Sequence, residues 1–267
     1  MADRLPHALR DRDQFDAALA GRRPAVFLDY DGVLTPIVDR PEDARMAPSM
    51  RRVVHELAGR CSVCVVSGRD RVVVQELMGL DDLVVAGSHG FDIWHPQRGR
   101  YEHEAASGFE DLIAEVTQRL RGEVGDLAGV AVEPKRASVA VHYRLAGAED
   151  ARRVEQLVKR LLDERPDELK VTPGKMVYEL QPKLDWNKGR AVDYLIDTLG
   201  LTGEDTVPLY IGDDVTDEDA FAALRGRGIS LYVGDPDQLD RRTDADFTLD
   251  SPTDVEQFLA TLATLAR

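Results

Sequence analysis

Short apolar runs alternate with stretches of helical periodicity through the first hundred residues. The spacing predicts a short helix over 13–19 and a strand over 25–28. A helix follows over 49–59, where Met50, Val53, Val54 and Leu57 recur on one face and Ser49 stands as an N-cap. A strand is predicted over 62–66, a turn at Ser67-Gly68, a helix over 71–78 and a strand over 83–86. Apolar strands separated by amphipathic helices imply crossover units and a parallel sheet.

The rhythm changes near Ser107. A helix is predicted over 109–120, on Phe109, Leu112, Ile113, Val116 and Leu120. Strands over 130–133 and 138–143 come next, then a helix over 154–162. A last strand pair covers 169–172 and 176–180, with Pro173-Gly174 as its turn. Helix, two strands, helix, two strands is an α+β unit set inside an α/β protein. After Pro182 the first rhythm resumes, with a helix over 189–199, a strand over 209–211, a helix over 218–224, a strand over 230–233 and a helix over 253–265. The expected organisation is a discontinuous core, residues 1–106 and 183–267, around an insert at 107–182. An insert that caps the carboxyl edge of a sheet can close over a substrate and exclude water.

Composition narrows the functional classes. The 267 residues are 43% hydrophobic, enough for a sizeable core, and 34 Lys+Arg against 49 Asp+Glu leave a formal charge of −15. That balance argues against a nucleic-acid partner, which needs a basic face, and against an anionic membrane surface. No apolar run reaches the roughly 20 residues of a membrane helix, and the first residues lack a signal-peptide core. A cytoplasmic, monomeric protein is expected. Cys61 and Cys64 have C-x-x-C spacing, but no second pair completes a zinc site. On a strand their side chains face opposite ways, so a structural role is expected.

Four segments place polar groups at strand ends or helix starts. Val26-Phe27-Leu28 runs into Asp29-Tyr30-Asp31-Gly32, delivering two carboxylates to a carboxyl edge, where α/β sheets hold their ligands. Such a pair suits a divalent cation, or a nucleophile with a proton donor, or only a polar turn. Val65-Val66-Ser67-Gly68 ends in a hydroxyl and backbone donors that suit an anion, or in a simple helix cap. Lys188 stands at a helix amino end, where the macrodipole disfavours a cation. It either holds an anion or is exposed. Gly212-Asp213-Asp214 with Asp217-Glu218 is a self-repelling cluster. N-capping would explain Asp217 but not Asp213 or Asp214. Mg²⁺ favours one or two carboxylates with waters and substrate oxygens. Together the four segments can surround a transferring phosphoryl group.

Asp29-x-Asp31-Gly32-Val33, Ser67, Lys188 and Gly212-Asp213-Asp214-x-x-Asp217 resemble the four motifs of the haloacid-dehalogenase (HAD) superfamily of phosphatases. Within it, the chain resembles the trehalose-6-phosphate phosphatases through Asp29 to Ile37, Val66-Ser67-Gly68-Arg69, Gly87-Ser88-His89-Gly90, and Lys135 with His142-Tyr143-Arg144. Gly174-Lys175-x-x-x-Glu179 and the run from Gly212 to Phe221 complete the match. The resemblance implies an α/β fold, a HAD-like Rossmannoid core with a parallel sheet plus an inserted αββαββ cap. It implies a Mg²⁺-dependent phosphatase acting on a small-molecule sugar phosphate, trehalose 6-phosphate. Asp29 would form an aspartyl-phosphate, and Asp31 would protonate the sugar oxygen and then activate water. Mg²⁺ would be held by the Asp29 carboxylate, the Asp31 backbone carbonyl and the Asp213 carboxylate, with Asp214 and Asp217 nearby. Ser67 and Lys188 would bind phosphoryl oxygens. Arg69, His89, Lys135, Lys175 and Glu179 would contact the sugar. His142 is either a sugar contact or a buried strand histidine.

Two positions depart from the family pattern. Ser88 stands where Glu is usual, and Asn187 where Asp is frequent before the lysine. The alternatives are another capped sugar phosphatase (for sucrose-, glucosylglycerol- or glucosylglycerate-phosphate), a phosphomutase, and a phospho-acceptor signalling module. The last uses similar acidic clusters without a large cap.

Overall fold

The structure is a computed structural model and describes residues 5–101, 108–174, 176–239 and 242–265. The chain divides into two compact units, one of residues 1–101 and 186–267, the other of residues 102–185.

The first unit is built on an eight-stranded sheet. Its strands are β1 (Arg23–Leu28), β2 (Val63–Val66), β3 (Val84–Gly87), β4 (Asp92–His95), β5 (Gly99–Tyr101), β10 (Thr206–Gly212), β11 (Ile229–Val233) and β12 (Phe247–Leu249). Their order is β12-β11-β10-β1-β2-β3-β4-β5. The pairings from β12 to β3 are parallel, and β3–β4 and β4–β5 are antiparallel. Helices α1 (Arg12–Leu19), α2 (Pro48–Ala58), α3 (Arg71–Met78), α6 (Lys188–Thr198), α7 (Glu218–Leu224) and α8 (Pro252–Leu265) complete it. Every residue of β1 after Arg23 is buried. This is the mark of a central parallel strand covered on both faces, and it explains the unbroken apolar run in the sequence.

Three features differ from expectation. The β4–β5 hairpin and β12 carry no long apolar run and escape pattern reading. The hairpin is tied down by Asp92, a buried carboxylate paired with Arg71 at 3.0 Å and Arg100 at 3.2 Å. Ser49 is not the cap of α2. The helix starts at Pro48, whose fixed φ suits the first position, and the Ser49 hydroxyl donates to Glu256 at 3.0 Å instead.

The second unit contains α4 (Glu110–Val124), β6 (Ala131–Pro134), β7 (Val139–His142), α5 (Ala148–Glu164), β8 (Leu169–Gly174) and β9 (Val177–Pro182). The sheet order is β6-β7-β9-β8, antiparallel throughout. Val116, Leu120 and Val124 of α4, with Val154, Leu157, Val158 and Leu161 of α5, pack against Val139, Val141, Leu169 and Leu180 of the sheet. Ala140, Thr172 and Glu179 are paired across β7, β9 and β8 and share the other face. Pro173 and Gly174 are not the turn. They are still paired, with Tyr178 and Val177, and the chain reverses after them.

Candidate active site

The central register sets the site. Leu28 at the end of β1 is level with Ile211 of β10 and with Val65 of β2. The chain beyond those residues therefore leaves three adjacent strands at one edge, carrying Asp29, Ser67 and Asp213. The Asp29 N–H donates to the Ile211 carbonyl at 3.0 Å, stitching the first acidic loop to the strand that launches the second.

Lys188, 2% exposed, links the two loops. Its Nζ donates to Asp29 Oδ2 at 2.6 Å and to Asp217 Oδ1 at 2.7 Å. The lysine is the first residue of α6, and the anions that justify a cation at a helix amino end are these two carboxylates. Asn187 caps the helix, its side chain accepting from the Arg190 N–H at 2.9 Å, so the residue before the lysine serves a cap that Asp would also serve. Gly189 lets α6 approach α7, since a Cβ there would lie 2.3 Å from the Asp219 carbonyl oxygen.

Asp217 is fully buried. Its Oδ1 accepts from Lys188 and from the Tyr210 hydroxyl at 2.7 Å, and its Oδ2 accepts from the N–H groups of Asp213 at 3.0 Å and Asp214 at 2.9 Å. It is not a side-chain cap of α7. It anchors the acidic loop and Lys188 together. Asp214 is exposed and accepts from the Val215 N–H at 2.6 Å. Tyr210 gives no signal in the sequence, because it reads as one more apolar residue of β10.

The carboxylates compete for one ammonium. Oxygens of Asp29, Asp213 and Asp217 lie within 4.8 Å of one another. Burial opposes the charge on Asp217, but Lys188, the Asp214 N–H and the Tyr210 hydroxyl outweigh it, and its pKa is lowered. Burial and the charges of Asp217 and Asp213 together overcome Lys188 at Asp29, whose pKa is raised well above the usual range. Burial, then Asp217, push Asp213 up to about 7. Burial also opposes the charge on Lys188, yet Asp217 and Asp29 raise its pKa. Gly32 makes room for Asp213: its φ is +70°, and a Cβ there would stand 1.9 Å from Asp213 Oδ2.

Asp31 lies on the turn after Asp29. Both of its carboxylate oxygens accept from Arg69, from Nε at 2.6 Å and Nη2 at 2.7 Å, and Arg69 Nη1 donates to the Pro41 carbonyl at 2.7 Å. The guanidinium lies 5.9 Å from the Tyr30 ring centroid. Arg69 is thus engaged with Asp31, a link that the sequence spacing did not suggest. Ser67 is buried, and its Oγ accepts from the Arg69 N–H at 3.1 Å. His89, in the left-handed region at φ 56°, donates its N–H to the Ser67 carbonyl at 2.8 Å. Its ring sits over Gly68, where a Cβ would meet Cε1 at 2.7 Å. Ser88 is buried, and its hydroxyl donates to Asp70 at 2.7 Å. This departure from the family pattern holds the Ser67 and His89 loops to each other.

In the second unit, Lys135 Nζ and the Ser138 hydroxyl both donate to Glu179 Oε1, at 3.3 and 2.6 Å. Lys135 and Glu179, far apart in sequence, are thus neighbours. Lys175 lies outside the described residues. His142 is not buried: it is exposed and sits 2.8 Å from Glu133 across the β6–β7 pair. Cys61 and Cys64 are buried free thiols, each pushed up to about 12 by burial, in keeping with a structural role.

Fold and site define a mixed α/β protein with an acidic, lysine-bridged centre at the carboxyl edge of a mostly parallel sheet. The Trehalose-phosphatase family model matches residues 27–253. The trehalose-phosphate phosphatase of Mycolicibacterium paratuberculosis is 43% identical over 249 residues, 92% of this chain and 63% of that protein. An uncharacterized glycosyl hydrolase of Mycobacterium tuberculosis is 42% identical over 262 residues, 97% of this chain and 20% of that protein. The chain therefore spans less than two thirds of these curated relatives. Among solved structures, Aspergillus fumigatus trehalose-6-phosphate phosphatase is 30% identical with a TM-score of 0.67, covering 98% of this chain and 99% of that one. The chain belongs to the trehalose-phosphatase family.

Proposed function

We propose that the chain is a Mg²⁺-dependent phosphatase of the HAD superfamily that hydrolyses trehalose 6-phosphate through an aspartyl-phosphate on Asp29. The observation that carries this reading is the placement of Asp29. It is the first residue beyond a central strand, held by Lys188 and facing Asp213.

The donor set fits a divalent cation. Asp217 has all its accepting capacity committed to Lys188, Tyr210 and two backbone N–H groups, which leaves Asp29 and Asp213 as the available carboxylates. Burial first, and then the neighbouring carboxylates, raise the pKa of both, so a cation between them would favour their charged forms. Mg²⁺ would be held by the Asp29 and Asp213 carboxylates and the Asp31 backbone carbonyl, with Asp214 and Asp217 outside them. When bound, it neutralises charge on the phosphoryl oxygens.

The chain's own residues do the rest. Asp29 Oδ attacks phosphorus and the sugar oxygen leaves, taking a proton from Asp31. Asp31 then removes a proton from the water that attacks the aspartyl-phosphate, returning Asp29 and releasing phosphate. Lys188 keeps Asp29 aimed and, with the Ser67 hydroxyl, takes phosphoryl oxygens. Arg69 holds the plane of the Asp31 carboxylate. His89 and Arg69 contribute to sugar binding from the core. The second unit is the cap, with the Lys135–Glu179 pair and Lys175 recognising sugar hydroxyls.

Stereochemistry at phosphorus tests the covalent step. A phosphorothioate ester made chiral at phosphorus with oxygen isotopes should be hydrolysed with net retention, the result of two in-line displacements, whereas direct attack by water would invert it; Asp29→Asn gives no phosphate while keeping its melting transition. Undiminished turnover by Asp29→Asn would reject the mechanism.

A further inference from the structure

The opposite edge of the eight-stranded sheet carries a polar cavity. It measures about 510 Å³ and is walled by the amino-terminal ends of β1, β2 and β3 and by the β4–β5 turn. A volume of this size is in the range of metabolite sites. Its charged lining is Arg23, Arg60, Arg98, His95 and Asp82. This is a cationic pocket in a chain whose formal charge is −15.

The positive charge there is poorly compensated. Asp82, the acid of the lining, is turned to His55 at 3.1 Å. Among the described residues, the Arg23 guanidinium has no hydrogen-bond or ion-pair partner. Arg98 makes one long contact, 3.4 Å to the Tyr101 hydroxyl. Arg60 is satisfied by Glu56 at 2.8 Å and the Ala263 carbonyl at 2.5 Å. The His95 Nδ1 accepts from the Gln97 N–H at 3.1 Å, which fixes the tautomer and leaves Nε2–H as a donor. Burial and then Arg98 lower the His95 pKa, which favours the neutral ring with its Nε2–H donor. Arginine forks and an imidazole N–H suit the oxygens of phosphate groups.

We propose that this cavity binds a multiply charged phosphate-bearing metabolite, held by Arg23, Arg98 and His95, at a site separate from the acidic centre. Strand β1 joins the two edges, with Arg23 at one end and Asp29 just beyond the other. The separation along the strand is roughly 20 Å.

The test is calorimetric titration of inorganic pyrophosphate into the full chain in EDTA, where the metal-free acidic centre repels anions. Saturable binding is expected that weakens as salt rises. The double variant Arg23→Glu/Arg98→Glu should lose affinity by about tenfold or more, while Arg23→Lys/Arg98→Lys, which keeps the charges but not the forks, should lose less than the charge reversal does. Arg98→Glu alone, on an exposed turn, provides the same comparison if the double variant does not fold. The variants should release phosphate from a sugar phosphate at the parent rate in the absence of pyrophosphate. Equal pyrophosphate affinity in parent and charge-reversed protein would overturn the proposal, as would no binding to the parent at millimolar concentration.

Discussion

Arg69 grips both carboxylate oxygens of Asp31, at 2.6 and 2.7 Å, while its third nitrogen is fixed to the Pro41 carbonyl. A bidentate fork sets the plane of the carboxylate as well as its position. If Asp31 is the proton donor and acceptor of the reaction, Arg69 is its positioning residue. Arg69→Gln should then lower kcat for a sugar phosphate by about tenfold or more, and Asp31→Asn by about 10² to 10⁴. Both losses should shrink with p-nitrophenyl phosphate, whose leaving group needs no proton. Equal losses on the two substrates would remove Asp31 from protonating the sugar oxygen and leave it only the activation of water.

Lys188 offers a stability test. Replacing it with Ala leaves Asp29 and Asp217 buried without their ammonium. Removing one partner of a buried ion pair costs about 3–5 kcal/mol. The variant should melt well below the parent and be inactive. Replacing Asp217 with Asn should also destabilise, since Lys188, Tyr210 and two backbone N–H groups depend on it. Unchanged melting in both variants would contradict the bridge.

The pH dependence has a defined sign. Asp213 has a folded pKa of about 7 against 3.8 for the free group. A raised folded pKa contributes stability that is complete below about 4 and is lost as pH rises through 7. Metal-free Asp213→Asn should therefore gain on the parent between pH 4 and 7, with the difference levelling above that. Added Mg²⁺ should stabilise the parent more at pH 8 than at pH 5 and should do little for the variant. Melting curves in EDTA and in Mg²⁺ at several pH values check both statements. A pH-independent difference between the two proteins would contradict the burial of charge at Asp213.

Gly32 is the tightest backbone position of the site. An alanine there meets a left-handed φ, costing about 1–2 kcal/mol, and collides with Asp213 Oδ2. Gly32→Ala should lose the Mg²⁺ response along with activity, even where the fold survives. Isothermal titration of Mg²⁺ against the variant measures this directly. Parent-like Mg²⁺ affinity would place the cation elsewhere.

Much of the parallel core was legible because strands buried on both faces must be apolar throughout. Helix α3 and helix α7 were read to the residue for a related reason, since turns and acidic starts bound their periodicity on both sides. The β4–β5 hairpin was not legible. Its strands are short and polar-rich, and Asp92 is tolerated in the buried layer because Arg71 reaches it from α3 and Arg100 from the facing strand β5. The same limit applies at the site. Asp29, Asp31, Ser67, Lys188 and Asp213 advertise themselves by interrupting apolar runs or by opposing a helix dipole. Tyr210 and the Arg69–Asp31 fork do not, because their significance lies in a partner that only the fold supplies. Asp217 was visible as an acid, but its work as a four-donor acceptor was hidden behind a plausible helix cap.

In the proposed reaction Asp29, held by Lys188 and served by Mg²⁺, releases phosphate from trehalose 6-phosphate. The deciding experiment compares the rate of inorganic phosphate release from trehalose 6-phosphate with that from glucose 6-phosphate in Mg²⁺. Trehalose 6-phosphate should be hydrolysed with the higher kcat/KM, and EDTA should abolish the release. A rate for trehalose 6-phosphate no better than for glucose 6-phosphate would rule out trehalose 6-phosphate as the substrate, and release that persists in EDTA would rule out the metal.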